Sequence, residues 1–186
     1  MNNKYILKSK HLGFRNWNFC DTDKLFALNS DKEVMEFFPH LPSLEQTKEF
    51  IKRMQNQFEK NGFCYFAVDF LETEEFIGFI GIIEQTYEAD FTPCVDIGWR
   101  LDKKYWNKGY ASEGAKRCLE FAFEDKKLES IKAIAPEINL KSRKVMEKIG
   151  MKYVKDFKHP ALINDKKLET CVLYEINKEY FSQEKL

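Results

Sequence analysis

The spacing of apolar residues changes several times along this chain, and each change predicts a different element. Residues 5–17 read as extended, anchored by Ile6, Leu12 and Phe14. Asp21 then stands where a helix N-cap is wanted, ahead of Leu25, Phe26 and Leu28. Leu41-Pro42-Ser43 halts the chain and offers a second cap. Behind it Phe50, Ile51, Met54 and Phe58 mark one face of a helix that runs to about Glu59 and ends at Asn61-Gly62. The period then drops to two. Residues 63–71 and 76–84 are rich in aromatic and β-branched side chains, and 72–75 supplies the turn between them, which predicts a hairpin. Residues 94–101 alternate cleanly, with Val95, Ile97, Trp99 and Leu101 on one face and Asp96, Gly98 and Arg100 on the other.

Helical spacing returns with Ala111, Ala115, Cys118, Leu119, Ala122 and Phe123. A short apolar strand follows at 130–136. Asn139 opens a further helix through Val145, Met146 and Ile149, which Gly150 closes at the C′ position. Residues 151–159 and 168–177 form a last antiparallel pair. The strand–helix–strand unit in the middle requires a parallel crossover, whereas the hairpins require antiparallel pairing. A mixed α/β sheet with helices on both faces satisfies both.

Composition narrows the function. With 186 residues and no linker or repeat, the chain reads as one domain over 1–186. Hydrophobic residues at 44% and charged residues at 32% exclude a disordered chain, and no apolar run reaches the roughly 20 residues of a membrane helix. Thirty basic and thirty acidic side chains cancel, which argues against a broad nucleic-acid surface. Cys20, Cys64, Cys94, Cys118 and Cys171 are scattered, and His11, His40 and His159 are isolated, so neither a disulfide framework nor a metal site is expected. The first residues lack the apolar centre of a secretory signal, and reduced thiols suit a cytoplasmic protein.

The most informative segment is Ile97-Gly98-Trp99-Arg100-Leu101 followed by Tyr105-Trp106-Asn107-Lys108-Gly109-Tyr110-Ala111-Ser112-Glu113. It sets Gly and then Ala at a helix start directly after a strand. Orphan N–H groups and the helix dipole at such a start suit a pyrophosphate. Gly109 permits unusual backbone angles, Ala111 lets a ligand approach, and Lys108 adds charge. The other reading is that Gly109 breaks a loop and Ala111 packs a helix. Neither a Walker loop nor a G-x-G-x-x-G turn is present.

This pattern resembles the coenzyme A loop of the GNAT superfamily of N-acetyltransferases, Gln/Arg-x-x-Gly-x-Gly/Ala, with Trp106, Gly109 and Ala111 at its first, fourth and sixth positions. The Trp departs from the general form but is similar to the ribosomal-protein-alanine acetyltransferase branch. Asp96-Ile97-Gly98-Trp99-Arg100-Leu101, Asn139-Leu140-Lys141-Ser142 and Glu147-Lys148-Ile149-Gly150-Met151 match the same branch in order. The resemblance implies a central sheet of about seven strands, opened between 95–101 and 131–136, whose gap admits the pantetheine arm of acetyl-coenzyme A as an added strand. It implies coenzyme contacts from Trp99, Leu101, Asn107, Lys108, Gly109, Tyr110, Ala111, Ser112, Asn139 and Ser142. Asn139 is equally a good helix cap, with Ser142 at N3.

The implied reaction is direct transfer of an acetyl group from the thioester to a primary amine. An α-amine titrates at about 7.7–8.0 and needs little help from a base, whereas a Lys-like amine at about 10.4 costs about 4 kcal/mol more to deprotonate. Many relatives use a Tyr as acid towards the thiolate, but Met146 occupies that position here. Ser142 is the nearest hydroxyl. Glu84 and Asp96 are candidate bases, with solvated strand-edge charge or an ion pair, for example to Arg100, as the alternative for both, and a water chain to a more distant carboxylate stands equally open. A binding module that senses acyl-coenzyme A without turnover is the rival function. The acceptor, a protein N-terminus or a small-molecule amine, falls to the N-terminal helices and to 84–92 and 159–166. Glu88, Asp90, Tyr87 and Phe91 there suit a cationic amine or an ordinary exposed loop. Monomer and homodimer both stand.

Overall fold

The computed structural model describes residues 4–183. Eight strands form one sheet: β1 (Leu7–Lys8), β2 (Leu12–Arg15), β3 (Tyr65–Phe70), β4 (Glu75–Gln85), β5 (Cys94–Leu101), β6 (Ser130–Pro136), β7 (Lys152–Lys158) and β8 (Thr170–Asn177). Their order is β1-β2-β3-β4-β5-β6-β8-β7. The strand beyond the expected seven comes from the N-terminus. Its extended segment folds on itself, pairing Leu7 with Phe14 and Lys8 with Gly13 before β2 joins β3. Five α-helices accompany the sheet among the described residues: α1 (Thr22–Asn29), α2 (Leu44–Asn61), α3 (Tyr110–Glu120), α4 (Leu140–Lys148) and α5 (Lys178–Gln183).

Helix ends follow local chemistry. Ser43 and Gln46 form a reciprocal capping box at the start of α2, and Gly62 in the left-handed conformation closes it with an N–H bond to Phe58 O at 2.7 Å. Gly150, at φ +89°, ends the turn after α4 as its position predicts. Asp21 does not cap α1. Its carboxylate is drawn instead to Arg15, accepting from both terminal nitrogens at 2.8 Å, because a charged guanidinium is a stronger donor than a helix amide.

The sheet is covered on both faces. On one, Gly114 of α3 lies against Ile80, Leu12 and Phe14. On the other, Phe50 of α2 packs against Trp17 and Phe79. β4 is the spine, buried from Phe76 to Ile83 and paired along its length with β3 and β5. All neighbours are antiparallel except β5 and β6, and there the sheet opens. Those two strands share one pair of residues, Asp96 with Lys132.

Candidate active site

Among the described residues no strand pairs with β5 on its β6 side beyond Asp96, while β6 is paired with β8 from Ser130 to Pro136. Main-chain groups of 97–101 therefore face an opening rather than a ladder, and an amide-rich chain could satisfy them. The opening leads into a cleft of about 580 Å³. Trp99 and Leu101 line it from the strand, Asn139, Ser142 and Val145 from α4, and Asn107, Gly109, Tyr110, Ala111 and Ser112 from the turn before α3.

That turn is built to present amides. Trp106 Nε1 donates to Leu101 O at 2.8 Å, tying the loop to the strand end; this gives the unusual Trp a structural task. Asn107 and Gly109 both take positive φ, +59° and +86°. Such left-handed residues in a tight turn gather successive N–H groups on one concave side, a geometry that binds anions. α3 begins at once: the first N–H to bond back is that of Glu113, to Gly109 O at 2.9 Å. The N–H groups of Tyr110, Ala111 and Ser112 precede any intrahelical acceptor and carry the positive end of the dipole. A Cβ placed on Gly109 would meet no protein atom within 4 Å. The glycine is thus required by its φ and by what approaches it, not by packing. Lys141, 4.5 Å from the Trp106 ring, and Lys144 add positive charge to the same wall. A diphosphate fits this cradle.

Glu113 secures the helix start from behind. It accepts from Ser9 Oγ at 2.6 Å and from His11 N at 2.8 Å, and its other oxygen lies 2.7 Å from His11 Nδ1. These bonds hold its pKa below the ordinary carboxylate value against the opposing effect of burial. The carboxylate near the dipole is thereby held by the β1–β2 turn.

The family model described as an acetyltransferase (GNAT) domain matches residues 11–152. The chain belongs to the GNAT acetyltransferase family. It is an acyltransferase. An uncharacterised N-acetyltransferase of Bacillus subtilis strain 168, YnaD, is 32% identical over 151 residues, which is 78% of this chain and 82% of that protein. A crystal structure of a GNAT-family acetyltransferase from Bacillus anthracis superposes with a TM-score of 0.76 at 29% identity, covering 93% of this chain and 98% of that one. Ribosomal-protein-S5-alanine acetyltransferase of Vibrio fischeri, at 19% identity, shares the fold with a TM-score of 0.74 over 92% of this chain and 96% of its own.

Of the ten residues expected around the coenzyme, nine line this acetyltransferase's cleft; Lys108 does not, and its Nζ lies 5.5 Å from the ring of Tyr105, which does. Asn139 Oδ1 accepts from Ser142 N at 3.0 Å, so it is the helix cap, and its amide also lines the cleft. Met146 is buried in the core.

The two candidate bases are separated by the pleat. Glu84 pairs with Val95 and Asp96 with Ile83, so their side chains leave the sheet on opposite faces. Glu84 is ion-paired to Lys60 at 2.8 Å, which lowers its pKa. Asp96 lies at the vertex where the strands part, 5% exposed, accepting from Tyr65 Oη at 2.6 Å and Gln85 Nε2 at 3.0 Å. Burial raises its pKa to about 6, although both hydrogen bonds oppose the shift. Arg100 pairs with neither carboxylate. Its Nη1 donates to Asn29 Oδ1 at 2.6 Å.

Sequence reasoning missed Tyr65, Gln85 and Asn29. They reach β5 from distant parts of the chain and carry no motif. Gly98 was the available signal: a Cβ there would fall 2.9 Å from the Tyr65 ring, so the glycine makes room for the phenol. Residues 86–93 do not form an open acidic pocket. Tyr87 packs at a tilt against His159 at 4.7 Å, Phe91 edge-to-face against Phe157 at 4.9 Å, and Asp90 pairs with Lys155, because aromatic rings at the ends of two strands bury better together than in solvent. Among the described residues no helix is long and apolar enough to cross a membrane, and no group of three or more His, Cys, Asp or Glu is arranged as metal ligands.

Proposed function

We propose that this acyltransferase moves an acetyl group from acetyl-coenzyme A to a primary amine by direct transfer. The observation that carries the reading is the opening of the sheet at a single β5–β6 pair, with the amide-lined turn at its mouth. N–H groups of 107–112 hold the diphosphate, and the unpaired main chain of 97–101 holds the pantetheine arm. Asn139, whose side-chain oxygen is committed to the α4 cap, offers its amide nitrogen to the same arm. Bound there, acetyl-coenzyme A supplies an activated thioester.

Asp96 takes the proton that the amine loses. At a pKa of about 6 it is ionised at neutral pH yet more basic than an exposed Asp, and Tyr65 and Gln85 fix its orientation. An amine at about 8 is roughly two units more basic, which costs about 3 kcal/mol on transfer, a modest part of an acyl-transfer barrier. Ser142 Oγ, on the opposite wall, donates towards the leaving sulfur. Most of the rate comes from holding amine and thioester together.

Incubation of the protein with acetyl-coenzyme A and a panel of amines, with release of free thiol and the mass of the acetylated amine as readouts, tests this. Amine-dependent thiol release is expected. Tight coenzyme binding with no turnover on any amine would instead favour a sensor.

A further inference from the structure

Arg100 presents a problem that coenzyme binding leaves open. Its side chain leaves β5 on the face opposite Trp99 and Leu101, yet it also lines the cleft. The guanidinium is 4.0 Å from the centre of the Phe38 ring and 5.1 Å from that of Phe79. Nη1 is held by Asn29. Nε has less than 1 Å² of accessible surface and no hydrogen-bond partner. Among the described residues no carboxylate forms an ion pair with it. Burial lowers its pKa, but only to about 10, so the group stays charged at neutral pH.

A buried cation held by one amide oxygen and two ring faces is costly, and an orphan N–H beside it adds to the cost. Such an arrangement persists where an anion from outside completes it. The Nε–H and the neighbouring Nη2–H form the lateral fork of the guanidinium, whose two parallel donors match the two oxygens of a carboxylate. With Nη1 taken by Asn29 and two ring faces against the guanidinium, Nη2 is the donor within a ligand's reach, and the enclosed Nε–H is uncovered as the carboxylate seats. The coenzyme's diphosphate has its own seat on the other side of the strand.

Position tells which ligand. Asp96, Gly98 and Arg100 share one face of β5, and the phenol end of Tyr65 fills the space over Gly98 between the two charges. Arg100 lines the cleft while Asp96 and Tyr65 stand behind it, so a molecule in the cleft meets the guanidinium directly and passes its proton towards Asp96 by way of the Tyr65 hydroxyl. We propose that the acceptor is an amine that also carries a carboxylate, as an amino acid does, and that Arg100 with Asn29 is its carboxylate-recognition site. A polyamine would set a second cation against Arg100 and be repelled. This proposal rests on the acetyl-transfer reading above, and the test separates the two.

Acceptor kinetics are compared for a set of amino acids and the matching amino acid amides, with spermidine as a carboxylate-free cation. In the wild-type protein kcat/KM is expected to be at least about tenfold higher for acids than for their amides. Arg100→Gln should bring that ratio to about one with the acetyl-coenzyme A Kd unchanged, and Arg100→Lys should fall between. Equal or faster turnover of amides or spermidine by the wild type, or an acid preference that survives Arg100→Gln, overturns the proposal and leaves acetyl transfer intact. If no amine turns over, calorimetry of N-acetylamino acids against their amides on the coenzyme A-loaded protein decides. Tenfold tighter binding of the acid, lost in Arg100→Gln, supports the site, whereas equal or absent binding removes it. Should Arg100→Gln fail to fold, Asn29→Ala loosens the guanidinium and is expected to cut the acid preference at least about threefold.

Discussion

The two halves of the cleft are built on different principles. The half proposed for the coenzyme is made of backbone: a strand edge, a turn with two left-handed residues and a helix start, all within residues 97–113. The half proposed for the acceptor is made of side chains that converge from across the chain, with Phe38 and Arg100 at the cleft and the others behind them. Asn29, Phe38, Tyr65, Phe79 and Gln85 meet Asp96 and Arg100 on one face of β5. A backbone site is fixed by the fold and tolerates changes in most side chains. A side-chain site can be rewritten one residue at a time without disturbing the sheet. An enzyme scaffold that keeps one donor and changes acceptors gains from this division.

The sharpest way to break the comparison is to attack the backbone half where a side chain does matter. Gly109→Val forces a β-branched residue to φ +86° and puts its methyl groups into the open space proposed for the diphosphate. Strain of about 1–3 kcal/mol together with the lost anion contacts predicts a fall in acetyl-coenzyme A affinity of about 10³-fold by calorimetry. Because the Cβ meets no protein atom, the circular dichroism spectrum should be unchanged. Unchanged affinity would show that the turn is not the diphosphate seat.

In the acceptor half the largest effect falls on Asp96. Asp96→Asn is expected to lower kcat by about 10²-fold with coenzyme affinity unaltered. The wild-type rate should rise with pH through about 6 as the carboxylate ionises, and that limb should vanish in the variant. Stability moves the other way. The folded-state pKa lies above the ordinary carboxylate value, so ionisation is harder in the folded protein, and Asp96 costs stability increasingly from about pH 4 to pH 6. The Tm of Asp96→Asn relative to wild type should therefore climb over that interval and level off above it. A flat difference would mean that the carboxylate is not desolvated as its burial indicates.

These contrasts explain what was legible in the sequence. Strand alternation at 94–101, the Ser43 and Asn139 caps and the 107–112 turn depend on neighbours within a few residues, and the residues themselves announced them. The β1–β2 hairpin was read as one extended segment because its two-residue first strand is too short to show a period. Asp21 was misassigned because its partner is set by tertiary geometry: Arg15 also binds Asp69 across β2 and β3. Tyr65 and Asn29 were invisible for the same reason, since nothing local marks a residue whose task is 31 or 71 positions away.

Ser142 tests the seam between the halves, because its main chain belongs to the α4 cap and its hydroxyl to the cleft. Ser142→Ala keeps the N–H that Asn139 accepts, so the helix should be preserved and the Tm should move little. A drop of about tenfold in kcat, larger than any change in coenzyme Kd, is expected if the hydroxyl assists the leaving sulfur. Normal kinetics would remove it from the reaction and leave thiolate departure unassisted.

The smallest effect is expected from Glu84→Gln, and its smallness is informative. Glu84 leaves β4 on the face away from Asp96 and is paired to Lys60, an exposed residue of α2. Loss of a solvent-facing ion pair should shift the Tm by no more than about 2 °C and kcat/KM by less than about twofold. Lys60 lowers the Glu84 pKa, which makes that carboxylate the weaker proton acceptor of the two as well as the one facing the wrong way. A large loss of kcat in Glu84→Gln beside a mild one in Asp96→Asn would reverse the assignment. The amine would then have to approach from the α3 face, where neither Arg100 nor Tyr65 could touch it, and the division of the cleft into a backbone half and a side-chain half would fail with it.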